Sequence, residues 1–105
     1  MSFLSDALFL ASALVDECGR AGIRVDQANV FVYADPRGEM RGLISLSSPD
    51  GRALAKRLGL ALEHTFPGGR GGLMRSAWRR VGRWVIDTTW LVTPVGAAAV
   101  GGEVR

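Results

Sequence analysis

Residues 73–92 read LMRSAWRRVGRWVIDTTWLV and hold all three tryptophans of the chain, Trp78, Trp84 and Trp90. β-branched and aromatic residues dominate the second half of the stretch. Gly82 interrupts it where a chain reversal is needed, so the spacing predicts a hairpin of strands 73–80 and 84–93. A two-residue loop would put Arg79 on the same face as Trp84 and carry charge onto the core side. A three-residue loop at Val81-Gly82-Arg83 gathers Met74, Trp78, Trp84, Ile86, Trp90 and Val92 on one face and Arg75, Arg79, Asp87 and Thr89 on the other. A slip of one residue flips every side chain, so the three-residue loop is the expected one. The rival is a helix over 74–83, since Met74, Trp78, Val81 and Val85 also fall at helical spacing.

Upstream, Leu4, Ala7, Leu8, Ala11, Leu14, Val15 and Cys18 recur at helical spacing over residues 3–21 and form one apolar stripe. Ser2 or Ser5 can cap its start, Asp6 suits the first turn, Arg20 the last, and Gly19 or Gly22 the stop. Segments 28–34 and 41–47 are short β-branched or aromatic runs around Asp35-Pro36-Arg37-Gly38, which reads as a second hairpin. Ser48-Pro49-Asp50 then offers an N-cap, a first-position proline and a first-turn acid to a short helix with Leu54, Leu58 and Ala61 on its apolar edge and Gly59 near its end. Leu62-Glu63-His64-Thr65-Phe66 alternates as a strand before the breaker-rich loop Pro67–Gly72. The order is α-β-β-α-β-β-β, and the expected fold class is a two-layer α+β domain with two helices packed on a mainly antiparallel sheet. Residues 1–94 form the expected domain and 95–105 a flexible C-terminal tail.

The 105-residue length suits one domain with one core, and 48% hydrophobic against 22% charged residues supports a packed chain. The apolar N-terminal run lacks a preceding basic residue and contains Asp6, so neither an export signal nor a membrane span is expected. One cysteine, Cys18, excludes an intramolecular disulfide and fits a cytoplasmic location. Its place on the helical stripe predicts burial rather than reactivity.

No catalytic constellation emerges. His64 is the single histidine, the acids share no metal-ligand spacing, and Gly68-Gly69-Arg70-Gly71-Gly72 lacks the lysine and hydroxyl residue of a P-loop. No catalytic residue, metal, cofactor or small-molecule substrate is expected.

The basic charge is local: residues 67–105 carry six basic and two acidic groups, against seven and eight before them. Arg70, Arg75, Arg79, Arg80 and Arg83 interleave with Trp78 and Trp84, a combination suited to phosphates and stacked bases. Most of the tryptophan-rich face is expected to be core, but only two short helices are there to cover the sheet; if Trp90, Val92 and their neighbours exceed that cover, the uncovered strip marks an association site. The favoured expectation is a non-enzymatic binding or assembly module that contacts a protein partner, or itself, through Trp78, Trp84, Trp90 and Val92. The alternative is a nucleic-acid-binding accessory protein using the five arginines, provided they share one surface.

Overall fold

In a computed structural model, residues 2–69 and 71–92 are described; Met1, Arg70 and residues 93–105 lie outside them, and with them the expected tail. The elements are α1 (Phe3–Arg20), β1 (Gln27–Ala34), β2 (Met40–Ser47), α2 (Gly51–Leu58), β3 (Leu62–Pro67), β4 (Leu73–Val81) and β5 (Trp84–Val92). The five strands form one sheet in the order β1-β2-β5-β4-β3. β2 and β5 pair in parallel at the centre, and the other three pairings are antiparallel. The fold is α+β, two helices on a mostly antiparallel sheet. Parallel neighbours need a long crossover, supplied here by α2, β3 and β4 together.

Both helices cover the same face of the sheet, α1 over β1 and β2, α2 over β5. The core between the layers joins Ala11 and Cys18 of α1, Leu54 and Leu58 of α2, Leu60, and the strand residues Ile44, Leu46, Ala77 and Ile86. Ser2 caps α1 by accepting a hydrogen bond from Ser5 N. In α1, Ala7, Ala11 and Cys18 are buried while Leu4 and Leu8 remain about half exposed, at 49% and 54%. The expected single stripe is therefore split into a core-facing row and an exposed apolar flank.

α2 begins two residues later than expected. Asp50, not Ser48, is its N-cap and accepts from Ala53 N, while Ser48 Oγ accepts from Asp50 N. The helix stops at Gly59, whose φ of 69° is left-handed and whose N–H reaches back to the last-turn carbonyls, so Ala61 falls outside it. The β1–β2 turn is held by Asp35, whose Oδ1 accepts from the Arg37 and Glu39 amides and whose Oδ2 lies 3.1 Å from Arg41 Nε.

The final hairpin is a hairpin and not a helix, but its register is the one disfavoured on sequence grounds. Val81 opposes Trp84, which leaves Gly82-Arg83 as a two-residue turn with Gly82 at φ 59°. Such turns match the twist of the flanking strands. Arg75 and Arg79 consequently share the helix side with Trp84, Ile86, Trp90 and Val92, while Met74 and Trp78 point to the other face with Asp87 and Thr89. Charge is tolerated on the helix side because the helices cover only part of it: of β4 only Ala77 is buried. Arg75 Nε lies 2.9 Å from Glu63 Oε1 at the open margin. Arg79 reaches over Gly59, its Nη1 3.3 Å from where a β-carbon would stand, and so approaches the carbonyl end of α2 where a cation is favoured.

Candidate docking face and basic groove

Because both helices lie on one side, the opposite face of the sheet has no covering layer among the described residues. Strand alternation and register decide what it presents. Phe31, Leu43 and Val85 form one row across β1, β2 and β5, with Tyr33 beyond Phe31. Next along β5, Asp87 is flanked by Ser45 on β2 and Trp78 on β4, and Trp78 in turn by Leu62 on β3. Farther on, Leu91, Met74 and Phe66 form another apolar row, and His64 stacks on Phe66 at 5.6 Å. Phe31, Tyr33, Leu62 and Leu91 are each between 51% and 62% exposed. Solvated sheet faces ordinarily carry polar residues, so two apolar rows around a polar centre depart from that pattern.

Asp87 sits in that centre. Its Oδ1 is buried, yet no group of the described residues donates a hydrogen bond to it. Held without a donor, that oxygen is costly, and a cation or donor brought by another molecule satisfies it once the half-buried Asp87 side chain turns out toward the open face.

On the helix side, a groove of about 540 Å³ opens between α2 and the β3–β4 margin, lined by Arg52, Lys56, Glu63, Arg75 and Trp90 among others. It holds three cations, one carboxylate and an indole. It is the place where part of the basic charge converges.

The residues expected at a binding site are thus divided. Trp84 stacks on Phe3 at 4.4 Å, and Trp90 packs against Gly51 of α2, so both serve the core margin. Val92 is on the same side. Trp78 alone of the expected partner-binding residues lies on the uncovered face. Of the arginines, Arg75 and Arg79 are on the helix side, Arg80 is on the uncovered face opposite Val85, Arg83 is in the turn, and Arg70 lies outside the described residues. The described four do not form one surface. Phe31, Tyr33, Leu43, Leu62 and Leu91, which also lie on the uncovered face, are not among the residues singled out from the sequence; the alternation of β1, Ala-Asn-Val-Phe-Val-Tyr, places aromatics on one side and valines on the other, and is the signal that two apolar faces exist.

Cys18 is fully buried on the helix side and His64 is exposed on the opposite face, so the sheet separates the two. Burial, then the negative charge of Glu17, raises the Cys18 pKa and keeps the thiol protonated. Among the described residues no group of three or more His, Cys, Asp or Glu side chains comes together, and no helix is long and apolar enough to cross a membrane.

Taken together, the fold and the face define a two-layer α+β domain with one unlayered sheet surface among the described residues. Comparison with protein-family models, with curated proteins and with solved structures gives no match.

Proposed function

We propose that the chain is a non-enzymatic cytoplasmic binding module whose uncovered sheet face docks a protein partner. The observation that carries this reading is the pair of uncovered apolar rows, Phe31-Leu43-Val85 and Leu91-Met74-Phe66, on either side of the row in which Asp87 lies beside Trp78 and Leu62. The complementary ligand is a polypeptide segment with apolar side chains on both sides of a lysine, an arginine or another donor that meets Asp87. Trp78 is the natural anchor, since a large ring beside a desolvated charge concentrates binding energy.

A peptide library panned on the purified protein tests this. Apolar sequences with a central basic residue should be enriched, and their affinity should fall by about tenfold or more in Trp78→Ala and in Asp87→Asn. No enrichment, or peptides indifferent to both substitutions, would sink the reading.

Nucleic acid is the second reading, and the helix-side groove is its specific support: Arg52, Lys56 and Arg75 can meet phosphates beside the Trp90 ring. It predicts oligonucleotide binding that weakens steeply with salt and falls in Arg52→Gln and Lys56→Gln but not in Trp78→Ala.

A further inference from the structure

The two edges of the sheet are built differently. β3 is six residues long, carries Glu63 and His64 and ends on Pro67. Short length, charge and proline are the devices that keep an edge from pairing with another chain. β1 has none of them. It is eight residues long, Gln-Ala-Asn-Val-Phe-Val-Tyr-Ala, with no charge and no proline, and among the described residues no strand pairs with its outer side. We propose that β1 is the interface for a second copy of this chain, joining two sheets edge to edge into one continuous sheet of twice the strands.

Backbone hydrogen bonding narrows the register. The Asp35 amide donates to the Glu39 carbonyl, so in the alternation of an antiparallel ladder Tyr33, Phe31 and Asn29 turn their backbone groups toward β2. Ala28, Val30, Val32 and Ala34 therefore present their N–H and C=O groups to the free edge. A twofold antiparallel partner has to match even-numbered residues with even-numbered residues. Two such registers overlap seven of the eight residues, one with Val30 facing its own counterpart and one with Val30 facing Val32 of the second copy and Phe31 facing its own counterpart; the second is assigned because it opposes the two half-exposed aromatic rings. That places two phenylalanines in a directly opposed cross-strand pair, with Tyr33 opposite Asn29. The charged neighbours follow suitably, since Asp26 and Asp35 then oppose Pro36 and Gln27 rather than each other.

The helix above the edge completes the surface. Glu17 of α1 is ion-paired with Arg57 of α2, which marks the flank of α1 turned toward α2. The opposite flank, over β1, carries Leu4, Leu8 and Val15 at helical spacing, and Leu4 and Leu8 are 49% and 54% exposed. A twofold axis through β1 brings the two α1 flanks together on the same side of the joined sheet. Phe31 and Tyr33 each expose roughly 100 Å², about half of an aromatic side chain. Together with the half-exposed Leu4 and Leu8, these side chains supply roughly half of the ~800 Å² per partner that stable dimers bury, and the paired β1 backbone and its neighbours supply the rest.

The edge meets the face assigned to a protein partner at Phe31 but leaves Trp78 and Asp87 clear, so the two readings stand or fall apart. Light-scattering mass of the purified chain should give twice 11.2 kDa and decline toward 11.2 kDa on dilution. Val32→Pro removes an outward N–H while sparing the β1–β2 ladder, and Leu8→Lys sets like charges across the axis; each should yield a monomer with an unchanged far-UV spectrum. Phe31→Cys should form a disulfide-linked dimer on mild oxidation, and Tyr33→Cys should not. Trp78→Ala should stay dimeric. A wild-type monomer at every concentration, a dimer indifferent to both Val32→Pro and Leu8→Lys, or cross-linking of Tyr33→Cys in preference to Phe31→Cys would overturn the proposal.

Discussion

Gly42 shows how a single residue seats the rest of the fold. It lies on the helix side of β2 opposite Trp84, and a β-carbon there would stand 2.3 Å from Trp84 Cζ3. The missing side chain lets the indole lie flat over the strand and stack on Phe3 with an interplanar angle of 9°. Gly42→Ala should therefore cost about 1–3 kcal/mol through overpacking, read as a lower urea midpoint with a weakened near-UV signal from Trp84. Gly19 is the contrast: it is helical, nothing lies within 4 Å of its would-be β-carbon, and Gly19→Ala should stabilise by about 0.5–1 kcal/mol in the same titration. At this scale the sequence showed that Trp84 belongs to an apolar face. It held no sign that Gly42 is the seat of the ring, because the two residues are far apart in the chain and meet only through the parallel β2–β5 pairing.

Between elements, the joint of α1 and α2 is electrostatic at its solvent side. Arg20 donates to Glu17 at 2.7 Å and Arg57 pairs with the same carboxylate from α2. The Arg20 hydrogen bond first, then that of Arg57, holds the Glu17 pKa below its ordinary value. The folded pKa is thus lower than the unfolded one, so the contribution is fully present above the usual glutamate range, near about 4.3, and is lost as pH falls through the folded value. Thermal unfolding should lose stability in that acid window, and Glu17→Gln should flatten the slope. For α2 itself, Asp50→Ala should cost about 1 kcal/mol, since an eight-residue helix depends on its cap. Periodicity and punctuation made every helix and strand legible, whereas the start of α2 was not: Ser48-Pro49 fits a helix start locally, but tertiary packing places Asp50 at the cap and Gly51 against Trp90.

Over the whole molecule, the parallel pair β2 and β5 is flanked on both sides by strands and holds Ile44, Leu46, Ile86 and Thr88, all buried. Their amides should exchange with solvent most slowly, near the global unfolding limit, while those of the edge strand β3 exchange faster; hydrogen exchange followed residue by residue checks this. The sequence by itself determined the element order, the two-layer α+β class, the core placement of Cys18 and the presence of a tryptophan-rich hairpin, since each depends on patterns within a few residues of one another. Only the tertiary structure decided the hairpin register. Local reasoning assumes a single dry face and moves Arg75 and Arg79 away from it, but of β4 the helices bury only Ala77, leaving a margin where Arg75 meets Glu63 and Arg79 meets the end of α2. The same incomplete cover separates Trp78 from Trp84 and Trp90 and distributes the arginines over two faces. Which face is buried depends on where the helices lie across the sheet, and that is set by contacts between residues distant in the chain.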